Sequence, residues 1–440
     1  MGTGAVVIVV AVVWGAAASG VLLAVEDEKA AFNYGDALEK AILFFEGQRS
    51  GKLPHNQRVK WRGDSGLSDG MLDQVKLVGG YYDAGDNIKF GWPVSFSITL
   101  LSWAVVEFKE QISSANQLSY LLSTIRWGTD FLMRAHTSPT TLYTQLFEFA
   151  DNYRGSYQAS CPFYCSYSGY HDELLWAAAW LFKASKDSKY MRFVMENQGW
   201  SQPVSEFSWD NKFAGAQTLL AKEYVAGNTK LGNYKSDADS FVCALMPGSS
   251  TVQIQTTKGG LLYTRDNNNM QYATSASLIL LVYSKTIHGG GFGTIQCGSL
   301  YFSAIQIRAF AKSQVDYILG KNPLGMSYMV GFGVKYPMQL HHRGASIPSI
   351  RAHPTKVGCS EGYSTWYAAN MPNPNTHVGA IVGGPNSNDQ FNDIRSDYSH
   401  LEPTTYSNAA FIGSLAAMLG GNGCLQVIGT HANHTNLLVM

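Results

Sequence analysis

Apolar residues recur along most of this chain with the 3.6-residue period of an amphipathic α-helix. In residues 36–49, Leu38, Ala41 and Phe45 fall on one helical face, and residues 172–185 are apolar almost all round, as in a helix buried on both sides. Ten helices are predicted in this way, and the other eight cover residues 95–108, 117–135, 188–197, 211–224, 232–245, 271–286, 301–319 and 406–419. Strand-like alternation is limited to short runs, so the pattern predicts an all-α fold.

Long loops rich in Gly, Pro and Asn join several of the predicted helices. The longest runs from about residue 320 to 404, and another, at 81–93, comes just before a helix. A loop that long in a compact protein is usually functional. Because no low-complexity linker or internal repeat divides the chain, residues 26–420 are predicted to form one domain.

The N-terminal residues 1–25 carry no charged side chain, and the first acidic residue is Glu26. An apolar run followed by small residues predicts a secretory signal peptide that is cleaved between Ala18 and Val25. Because no Lys or Arg precedes the run, an uncleaved signal anchor is the alternative. No later segment is expected to span a membrane. We therefore expect a secreted, extracellular protein with no stable membrane association once the signal is cleaved.

The formal net charge of the 440-residue chain is zero, which argues against a nucleic-acid partner. Charged residues make up only 15%, whereas 44 glycines and 12% aromatic residues suit glycine-rich loops and an aromatic-lined surface. Only Cys161 and Cys165 of the six cysteines lie close together in sequence, so a four-ligand zinc site is not predicted. In an exported protein a disulfide or two is expected, with the pairing left open. Asn433 begins the only N-glycosylation sequon, in a tail at 421–440.

Two acidic stretches are candidates for catalysis. Asp83 and Asp86 lie three residues apart on a glycine turn, and Glu402 lies among aromatic residues on a distant loop. Taken alone, the aspartates suit a turn with helix-capping acids, and Glu402 suits a helix N-terminus, where negative charge is favoured. Two carboxylates across a cleft can also hydrolyse a glycosidic bond, since one activates water and the other protonates the leaving oxygen. Partial desolvation by aromatic neighbours would raise the pKa of Glu402, as a general acid requires.

The adjacent His341, His342 and Arg343 form another candidate group on the longest loop. A metal site is conceivable, but the two histidines lack the helical spacing of a zinc motif, and no obvious third ligand is nearby. We interpret the group as hydrogen-bond donors to hydroxyls and a cation that keeps a neighbouring carboxylate ionised. Arg395, two residues after Asp393, is predicted to do similar work. No metal and no cofactor are expected.

Five longer segments occur in a characteristic order. They are YYDAGDNIKFGWP, CPFYCSYSGYHDELLWAAAWL, FSWDNKFAGAQ, SYMVGFGVKYPMQLHHRGASIPS and FNDIRSDYSHLEPTTYSNA. Together they resemble the plant endo-β-1,4-glucanases, or cellulases, of glycoside hydrolase family nine, over roughly residues 30 to 420. Two segments fit long signatures of that family, which contain His341 and Arg343 in the first and Asp393, Tyr398 and Glu402 in the second.

The resemblance implies an (α/α)6 barrel whose open cleft hydrolyses β-1,4-glucans with inversion of configuration. It makes Asp86 the general base and Glu402 the general acid, and it gives Asp83 the task of helping to hold the attacking water. His341 and Asp393 fall on signature positions that the family assigns to the active site.

Further residues are implied for substrate binding. The resemblance lets Arg343 and Arg395 bind sugar or orient the acids. Trp209 and Tyr406 are weaker candidates for the sugar-binding cleft, and core packing is at least as good an interpretation of each. The expected partner is a β-1,4-glucan polysaccharide, and the protein is expected to be a monomer.

The chain departs from the family pattern at two places. Residues 141–145, ending at Gln145, run directly into residues 146–157, where relatives carry a substantial segment with about one helical hairpin. Ten predicted helices against the family's twelve agree with that loss, so the barrel is predicted to be incomplete by about one hairpin. The C-terminal residues 421–440 are also atypical.

Three hypotheses about function remain open from the sequence. The leading hypothesis is a secreted endoglucanase that acts on cellulose or related cell-wall glucans. The alternative is a catalytically impaired or inactive isoform that only binds glucan, because a barrel that lacks two helices exposes apolar faces at a large cost in stability. The third is a cell-wall remodelling enzyme with another β-glucan as its substrate.

Overall fold

The computed structural model describes residues 32–135 and 147–420, apart from residues 73, 149, 153, 157, 159, 250, 252 and 253. The predicted signal segment at 1–25, the tail at 421–440 with Asn433, and the junction at 145/146 lie outside these residues. All elements described below belong to the unit that begins at Asn33.

Ten helices of nine residues or more make up most of the described chain, and they confirm the predicted all-α fold. They are α1 (Tyr34–Gly47), α2 (Gly91–Ser114), α3 (Leu118–Ala135), α4 (His171–Ser185), α5 (Ser188–Glu196), α6 (Phe213–Val225), α7 (Gly232–Leu245), α8 (Met270–Gly289), α9 (Ala304–Leu319) and α10 (Thr405–Leu419). Two small antiparallel hairpins accompany them: β1 (Gln255–Thr256) with β2 (Leu262–Tyr263), and β3 (Thr294–Cys297) with β4 (Leu300–Ser303).

The helices alternate between an inner and an outer ring, as in an α/α barrel. Among the even-numbered helices, α10 packs against α2 and α8, and α6 packs against α4 and α8. The outer helices α3, α5, α7 and α9 pack against α2, α4, α6 and α8, respectively. Because a helix surrounded by other helices has no face toward water, α10 is buried from Thr405 to Met418. The described residues hold five inner–outer pairs, one fewer than the resemblance implied.

The inner ring is closed between α2 and α4 by aromatic side chains. Trp103 of α2 has its ring centroid 5.5 Å from that of Trp176 and 5.9 Å from that of Trp180, both on α4. Phe207 lies against the same group, 5.8 Å from Trp176. We call these four residues the tryptophan seam. It lies where the chain passes from α3 to α4, the connection in which a hairpin was predicted to be absent.

The outer surface beside this seam is less well covered. Among the described helices, α3 packs mainly on α1 and α2, and its Leu122 and Met133 side chains, which lie on one helical face, remain 40% and 37% exposed. Within the described residues this apolar face of α3 is left partly uncovered, as the prediction of an open flank expected, whereas the inner ring is closed between α2 and α4.

The loops that precede the inner helices gather at one end of the ring. The N–H of Thr405, which begins α10, donates to the carbonyl of Asp83 at 2.9 Å. The N–H of Arg343 donates to the carbonyl of Gly85 at 2.6 Å, and that of His341 donates to the carbonyl of Leu401 at 3.1 Å. Loops 81–93, 341–349 and 391–404 thus meet at one face, as predicted.

One expectation about membrane segments needs correction. Helix α2 is long and apolar enough to cross a membrane by length and composition, although no segment after residue 25 was expected to be so. However, 72% of its most apolar window is buried, because α2 is an inner helix of the ring. Its apolarity therefore reflects burial on all sides.

Candidate active site

The loop before α2 holds Asp83 and Asp86 on a tight turn. The N–H of Asp83 donates to the carbonyl of Ile88 (3.0 Å), and the Asp86 carboxylate accepts from the N–H of Ile88 (3.0 Å). A Cβ at Gly85 would lie 2.0 Å from the carbonyl oxygen of His341, so only glycine allows the two loops to approach this closely. Asp83 is fully buried and Asp86 partly exposed. Neither caps α2, whose N-cap residue makes no side-chain capping bond.

The turn is supported from behind by Gln48 and His342. Gln48 donates from Nε2 to the carbonyls of Tyr82 (3.1 Å) and Ala84 (2.8 Å). His342 accepts the N–H of Ala345 at Nδ1 (3.0 Å), so Nε2 carries the hydrogen and donates to Gln48 Oε1 (2.8 Å). Burial lowers the pKa of His342 to about 3, which keeps the imidazole neutral. His342 therefore faces the interior and supports the turn.

Glu402 reaches the turn from the loop before α10. Its Oε1 accepts a hydrogen bond from the N–H of Gly85 at 3.0 Å, although 317 residues separate the two. Thr404 caps α10 by accepting from the N–H of Ser407 (3.3 Å), so this helix end is satisfied without Glu402. Burial raises the pKa of Glu402 to about 7; the Gly85 N–H opposes that rise and the charge of Asp86 adds to it. The direction is the one expected of a general acid.

Asp83 lies below the other two acids and accepts two hydroxyl hydrogen bonds. Tyr164 donates to Oδ2, and Thr405 donates to Oδ1 at 3.1 Å. Burial raises the pKa of Asp83 to about 7, the two hydroxyl donors oppose that rise, and the charges of Asp86 and Glu402 add to it. Asp83, Asp86 and Glu402 therefore form one electrostatically coupled cluster, and the structure brings together all three acids that the sequence suggested.

Tyr164 is a site residue that the sequence analysis missed. It lies between Cys161 and Cys165, which form a disulfide. Its side chain is buried, and its hydroxyl bonds to Asp83, which is 81 residues away in sequence. Burial and the charge of Asp83 raise the pKa of Tyr164 well above its usual value, so the hydroxyl keeps the proton that it donates. The short cysteine spacing was the signal that could have drawn attention to this loop.

Trp209 and Tyr406 both contact Tyr164, but only one of them reaches the surface of the site. The Trp209 ring meets the Tyr164 ring edge to face at 4.8 Å and remains partly exposed. Tyr406 is buried, with its hydroxyl 3.5 Å from that of Tyr164. Tyr406 therefore packs below the acids, as the core-packing interpretation expected, and Trp209 keeps a ring edge for a ligand.

The orientation of the His341 ring is fixed by the backbone of Arg395. Its Nδ1 lies 2.9 Å from the carbonyl oxygen of Arg395, which can only accept, so Nδ1 carries the hydrogen and Nε2 has a free lone pair. The ring lies beside Tyr367 and Tyr398, with centroids 6.0 and 6.1 Å away. His341 is partly exposed, and the two adjacent histidines therefore have opposite environments.

The structure places the Arg395 guanidinium away from a sugar-binding position. The group is buried and donates to the carbonyls of Trp366 (2.9 Å), Tyr367 (2.7 Å), Ala369 (2.8 Å) and Met371 (2.6 Å). These bonds hold the 366–371 segment against the site. The predicted sugar contact of Arg395 is thus corrected to a positioning role, because its donors are satisfied by the chain itself.

Asp393 and Arg343 have different environments at the same face. The Asp393 carboxylate accepts the N–H groups of Met338 (2.8 Å) and Gln339 (2.9 Å), which fixes the chain just before His341. The Arg343 side chain is exposed and forms no salt bridge with another described residue. Arg343 is therefore free to meet a ligand, and Asp393 orients the loop that carries His341.

Comparison with known proteins gives a consistent family assignment. A family model described as Glycosyl hydrolase family 9 matches residues 34–146 and 144–415. An endoglucanase from Phaseolus vulgaris is 58% identical over 455 residues, which cover 88% of this chain and 92% of the bean protein. Endoglucanase 20 from Arabidopsis thaliana is 57% identical over 471 residues, covering 92% and 98% of the two chains.

Solved structures agree with these relatives. The endoglucanase of the termite Nasutitermes takasagoensis superposes with a TM-score of 0.75 at 32% identity, covering 89% of this chain and 99% of the termite chain. Endoglucanase CelQ from Clostridium thermocellum, complexed with cellobiose and cellotriose, has a TM-score of 0.75 at 27% identity and covers 89% and 71% of the two chains.

The same comparisons locate the absent segment. The two family matches meet at residues 144–146, where the junction after Gln145 was predicted. Because 88% of 440 residues is about 387, about 68 of the 455 positions aligned with the bean protein have no counterpart in this chain. The prediction of a missing internal segment is confirmed.

Proposed function

Because the chain belongs to glycosyl hydrolase family 9, we propose that it is an endo-1,4-β-glucanase that hydrolyses internal β-1,4-glucosidic bonds of cellulose or related cell-wall glucans with inversion. One observation carries the proposal: Glu402, Asp86 and Asp83 meet around Gly85 at the open face of the ring. Its endoglucanase relatives and the cello-oligosaccharide complexes of CelQ support the substrate class.

The chemistry follows from the different environments of the three acids. Glu402, whose pKa is raised to about 7, is protonated under mildly acidic conditions and gives its proton to the glycosidic oxygen as the bond to the anomeric carbon breaks. A water held by Asp86 and Asp83 attacks the anomeric carbon from the opposite side and loses a proton to Asp86. The sugar is released with inverted configuration, and the two acids regain their starting states by exchange with solvent. This geometry requires the Asp86 and Glu402 carboxyl groups to stand roughly 6.5–9.5 Å apart.

The remaining site residues are proposed to bind the glucan. His341 offers the Nε2 lone pair to a sugar hydroxyl, and the exposed Arg343 side chain donates to others. Trp209 contacts Tyr164, which bonds to Asp83, and Tyr367 contacts His341. Partly exposed rings in such positions suit stacking on the apolar faces of glucose units.

We further propose that residues 1–25 direct the protein out of the cell, that residues 26–420 form the catalytic domain and that residues 421–440 are a tail. The protein would then act at the cell wall as a soluble monomer. Plant relatives named endoglucanases support a role at the cell wall.

The hypothesis of an isoform that only binds glucan rests on the missing segment. Against it stand the assembled acids and the tryptophan seam, which keeps the inner ring closed next to the gap. A remodelling enzyme for another β-glucan would use the same acids and differs only in substrate.

The test is reducing-sugar release from carboxymethylcellulose by the purified protein. We expect wild type to release reducing ends and Asp86→Asn to release almost none, since the base is lost while the size of the side chain is kept. Mixed-linkage β-glucan assayed in parallel separates the third hypothesis. A folded wild-type protein that binds cellulose and releases no reducing ends from either substrate would overturn the proposed function.

A further inference from the structure

The loop that carries Tyr164 is held by a covalent bond at the edge of the site. Cys161 is exposed, Cys165 is partly exposed, and their disulfide closes a segment with only three residues inside it. Phe163 in this segment is 71% exposed, whereas its neighbour Tyr164 is buried. The disulfide thus lies at the surface while the side chain that it encloses reaches the buried acids.

The backbone hydrogen bonds of this segment are mostly local, whereas Tyr164 itself is held at the acids by its bond to Asp83 and by ring contacts with Phe90 (4.7 Å) and Trp209 (4.8 Å). The N–H groups of Phe163 and Tyr164 both donate to the carbonyl of Ser160 (2.9 and 3.0 Å), which is a contact within the segment itself. On the C-terminal side the chain is anchored, since the N–H of Tyr167 donates to Asp210 at 3.0 Å. On the N-terminal side, Gln158 donates to the carbonyl of Ser166 (2.8 Å), which again lies in the same loop. The Gln158–Ser166 bond joins the N-terminal side of the segment to the anchored side, and the disulfide adds a covalent link around Tyr164.

Tyr164 also determines the state of Asp83. Five groups face the Asp83 carboxylate: Tyr164, Thr405, Asp86, Glu402 and Tyr406. Only the two hydroxyl donors, Tyr164 and Thr405, lower its pKa, whereas burial and the acidic neighbours raise it. If Tyr164 withdraws, Asp83 loses one of its two donors and holds its proton to higher pH.

We propose that Cys161 and Cys165 are positioning residues for hydrolysis: their disulfide holds the Tyr164 hydroxyl on Asp83, and opening it disables the water-holding side of the site. The inference rests on the proposed glucanase activity. A dithiol reductant opens the bond by transferring two electrons and two protons, which leaves two cysteine thiols and the oxidised, cyclic disulfide of the reductant. The tyrosine is then free to leave the acids, and the activity falls.

The test compares Cys161→Ser/Cys165→Ser with Tyr164→Phe and with the triple variant. We expect the double variant to lose about tenfold in kcat with little change in KM. In the pH profile of kcat, the decline on the acidic side should move to higher pH in the double variant, because Asp83 must be ionised to hold the water. In the Tyr164→Phe background the same cysteine changes should have no further effect, since the bond that they protect is already absent. If the cysteine changes lower kcat by the same factor in the Tyr164→Phe background as in wild type, the inference is overturned.

The second disulfide of the described residues provides the matched control. Cys243 of α7 is joined to Cys297 of β3, in a different part of the molecule. Cys243→Ser/Cys297→Ser should lower the melting temperature and leave the pH profile on carboxymethylcellulose unchanged. A shift of the acid limb in this control equal to that of the Cys161→Ser/Cys165→Ser variant would mean that the effect is a general loss of stability, and would contradict a positioning role.

Hydrogen exchange gives a readout that does not depend on catalysis. Folded wild type is treated with dithiothreitol, the free thiols are alkylated, and peptides covering 160–168 and 81–90 are followed by mass spectrometry. We expect faster exchange in both peptides once Cys161 and Cys165 are alkylated, and unchanged exchange in the peptide covering α10. Unchanged protection with an open disulfide would overturn the inference, whatever the activity. If wild type shows the expected change in exchange but no glucanase activity, only the proposed function is contradicted.

Discussion

The two sides of the inner ring are built in different ways. Where α10 meets α2 and α8, helix backbones approach closely: a Cβ at Gly413 would lie 2.7 Å from Leu278 Cδ1 and 3.4 Å from Ala104 Cβ. Where α2 meets α4, the contact is made by the tryptophan seam, and the indole N–H groups of Trp103 and Trp180 are buried without a hydrogen-bond partner. Small residues permit tight packing on one side, and large rings bridge a wider gap on the other.

The active site uses both sides. Asp83, Asp86 and Glu402 belong to the loops of α2 and α10, on the tightly packed side. Tyr164 and Trp209 belong to the loops before α4 and α6, on the side of the seam. The groups that transfer protons therefore lie on the rigid part of the ring, and the groups that position water and sugar lie next to the missing hairpin. Loss of the hairpin is thus expected to affect stability and positioning more than the acids themselves.

The largest expected effects come from the acids of the tightly packed side. Asp86→Ala and Glu402→Gln should each lower kcat on carboxymethylcellulose by roughly 10²–10⁴-fold, the usual contribution of a general base or acid. On an activated aryl cellobioside, Glu402→Gln should lose much less, because that leaving group needs little protonation, whereas Asp86→Ala should lose as much as before. Asp130→Asn, on the outer helix α3, is the control and should behave as wild type. An equal loss of Glu402→Gln on both substrates would show that Glu402 is not the acid.

The seam should have the largest effect on stability. Trp103 is completely buried, so Trp103→Ala should lower the free energy of unfolding by about 3–5 kcal/mol. Trp103→Phe, which keeps a ring at the seam, should cost clearly less. Urea unfolding followed by circular dichroism measures both. A cost of Trp103→Ala similar to that of Trp103→Phe would mean that the seam does not hold the ring together.

Restoring the absent segment should stabilise the side of the ring that contains the tryptophan seam, whereas Trp103→Ala should destabilise it. Inserting the corresponding residues of the Phaseolus vulgaris endoglucanase between Gln145 and Leu146 should raise the melting temperature and the solubility, because α3 would regain an apolar neighbour. The exposed Leu122 and Met133 should become protected from solvent. Equal stability with and without the insert would mean that the missing hairpin does not lower the free energy of unfolding of this chain.

A buried carboxylate joins the two sides at the far end of the ring. Glu107 of α2 accepts from Lys222 of α6 (2.7 Å) and Lys285 of α8 (3.4 Å). Burial alone would raise the pKa of Glu107, but Lys222, Lys285 and Lys183 outweigh it and bring it down to about 2. A pKa that is lower in the folded state stabilises the fold above the unfolded value of 4.5, and this contribution is lost as pH falls toward 2.

Glu107→Gln should therefore lower the free energy of unfolding at pH 7 by about 2–3 kcal/mol, allowing for the partial exposure of the lysines. The difference from wild type should shrink as pH falls below about 4.5. Glu110→Gln, an exposed change on the same helix, is the control. A difference that stays constant from pH 7 to pH 3 would rule out this charge linkage.

The smallest expected effect is on the pH profile. With the pKa of Glu402 raised to about 7, kcat on carboxymethylcellulose should decline above about pH 7 as the acid loses its proton. On the activated aryl cellobioside this alkaline decline should be weaker, because less protonation is needed. The apparent pKa values of the pH profile belong to the coupled carboxylates together and not to single residues. Only the difference between the profiles on the two substrates therefore identifies the general acid. An identical decline on both substrates would argue against Glu402 as its source.

The helices could be predicted without the structure because burial leaves a periodic trace in the sequence. All ten long helices of the described chain overlap a predicted one, and α8 and α10 are buried nearly all round because they lie inside the ring. Asp83, Asp86 and Glu402 were also found, although a turn and a helix N-terminus are ordinary places for acidic residues. The family resemblance of the segments around them gave these acids their catalytic roles.

The bonds of other site residues could not be predicted from their neighbours in sequence. Tyr164 and Gln48 act through partners far away in sequence, Asp83 and His342, and the close cysteines around Tyr164 mark its loop without indicating its partner. Arg395 was predicted to bind sugar or orient the acids, yet its guanidinium is enclosed by the carbonyls of the 366–371 segment, an arrangement that exists only after that segment has folded.

By itself the sequence determined the helices and the candidate acids, because periodicity and loop composition are properties of neighbouring residues, and its resemblance to the family gave the place of the missing segment. Only the tertiary structure decided which arginine is buried, which tyrosine reaches Asp83 and how the ring closes without the hairpin. Those outcomes depend on contacts between residues that lie tens to hundreds of positions apart. Such contacts are set by the packing of whole helices, and the energy of each contact depends on burial that no single segment specifies.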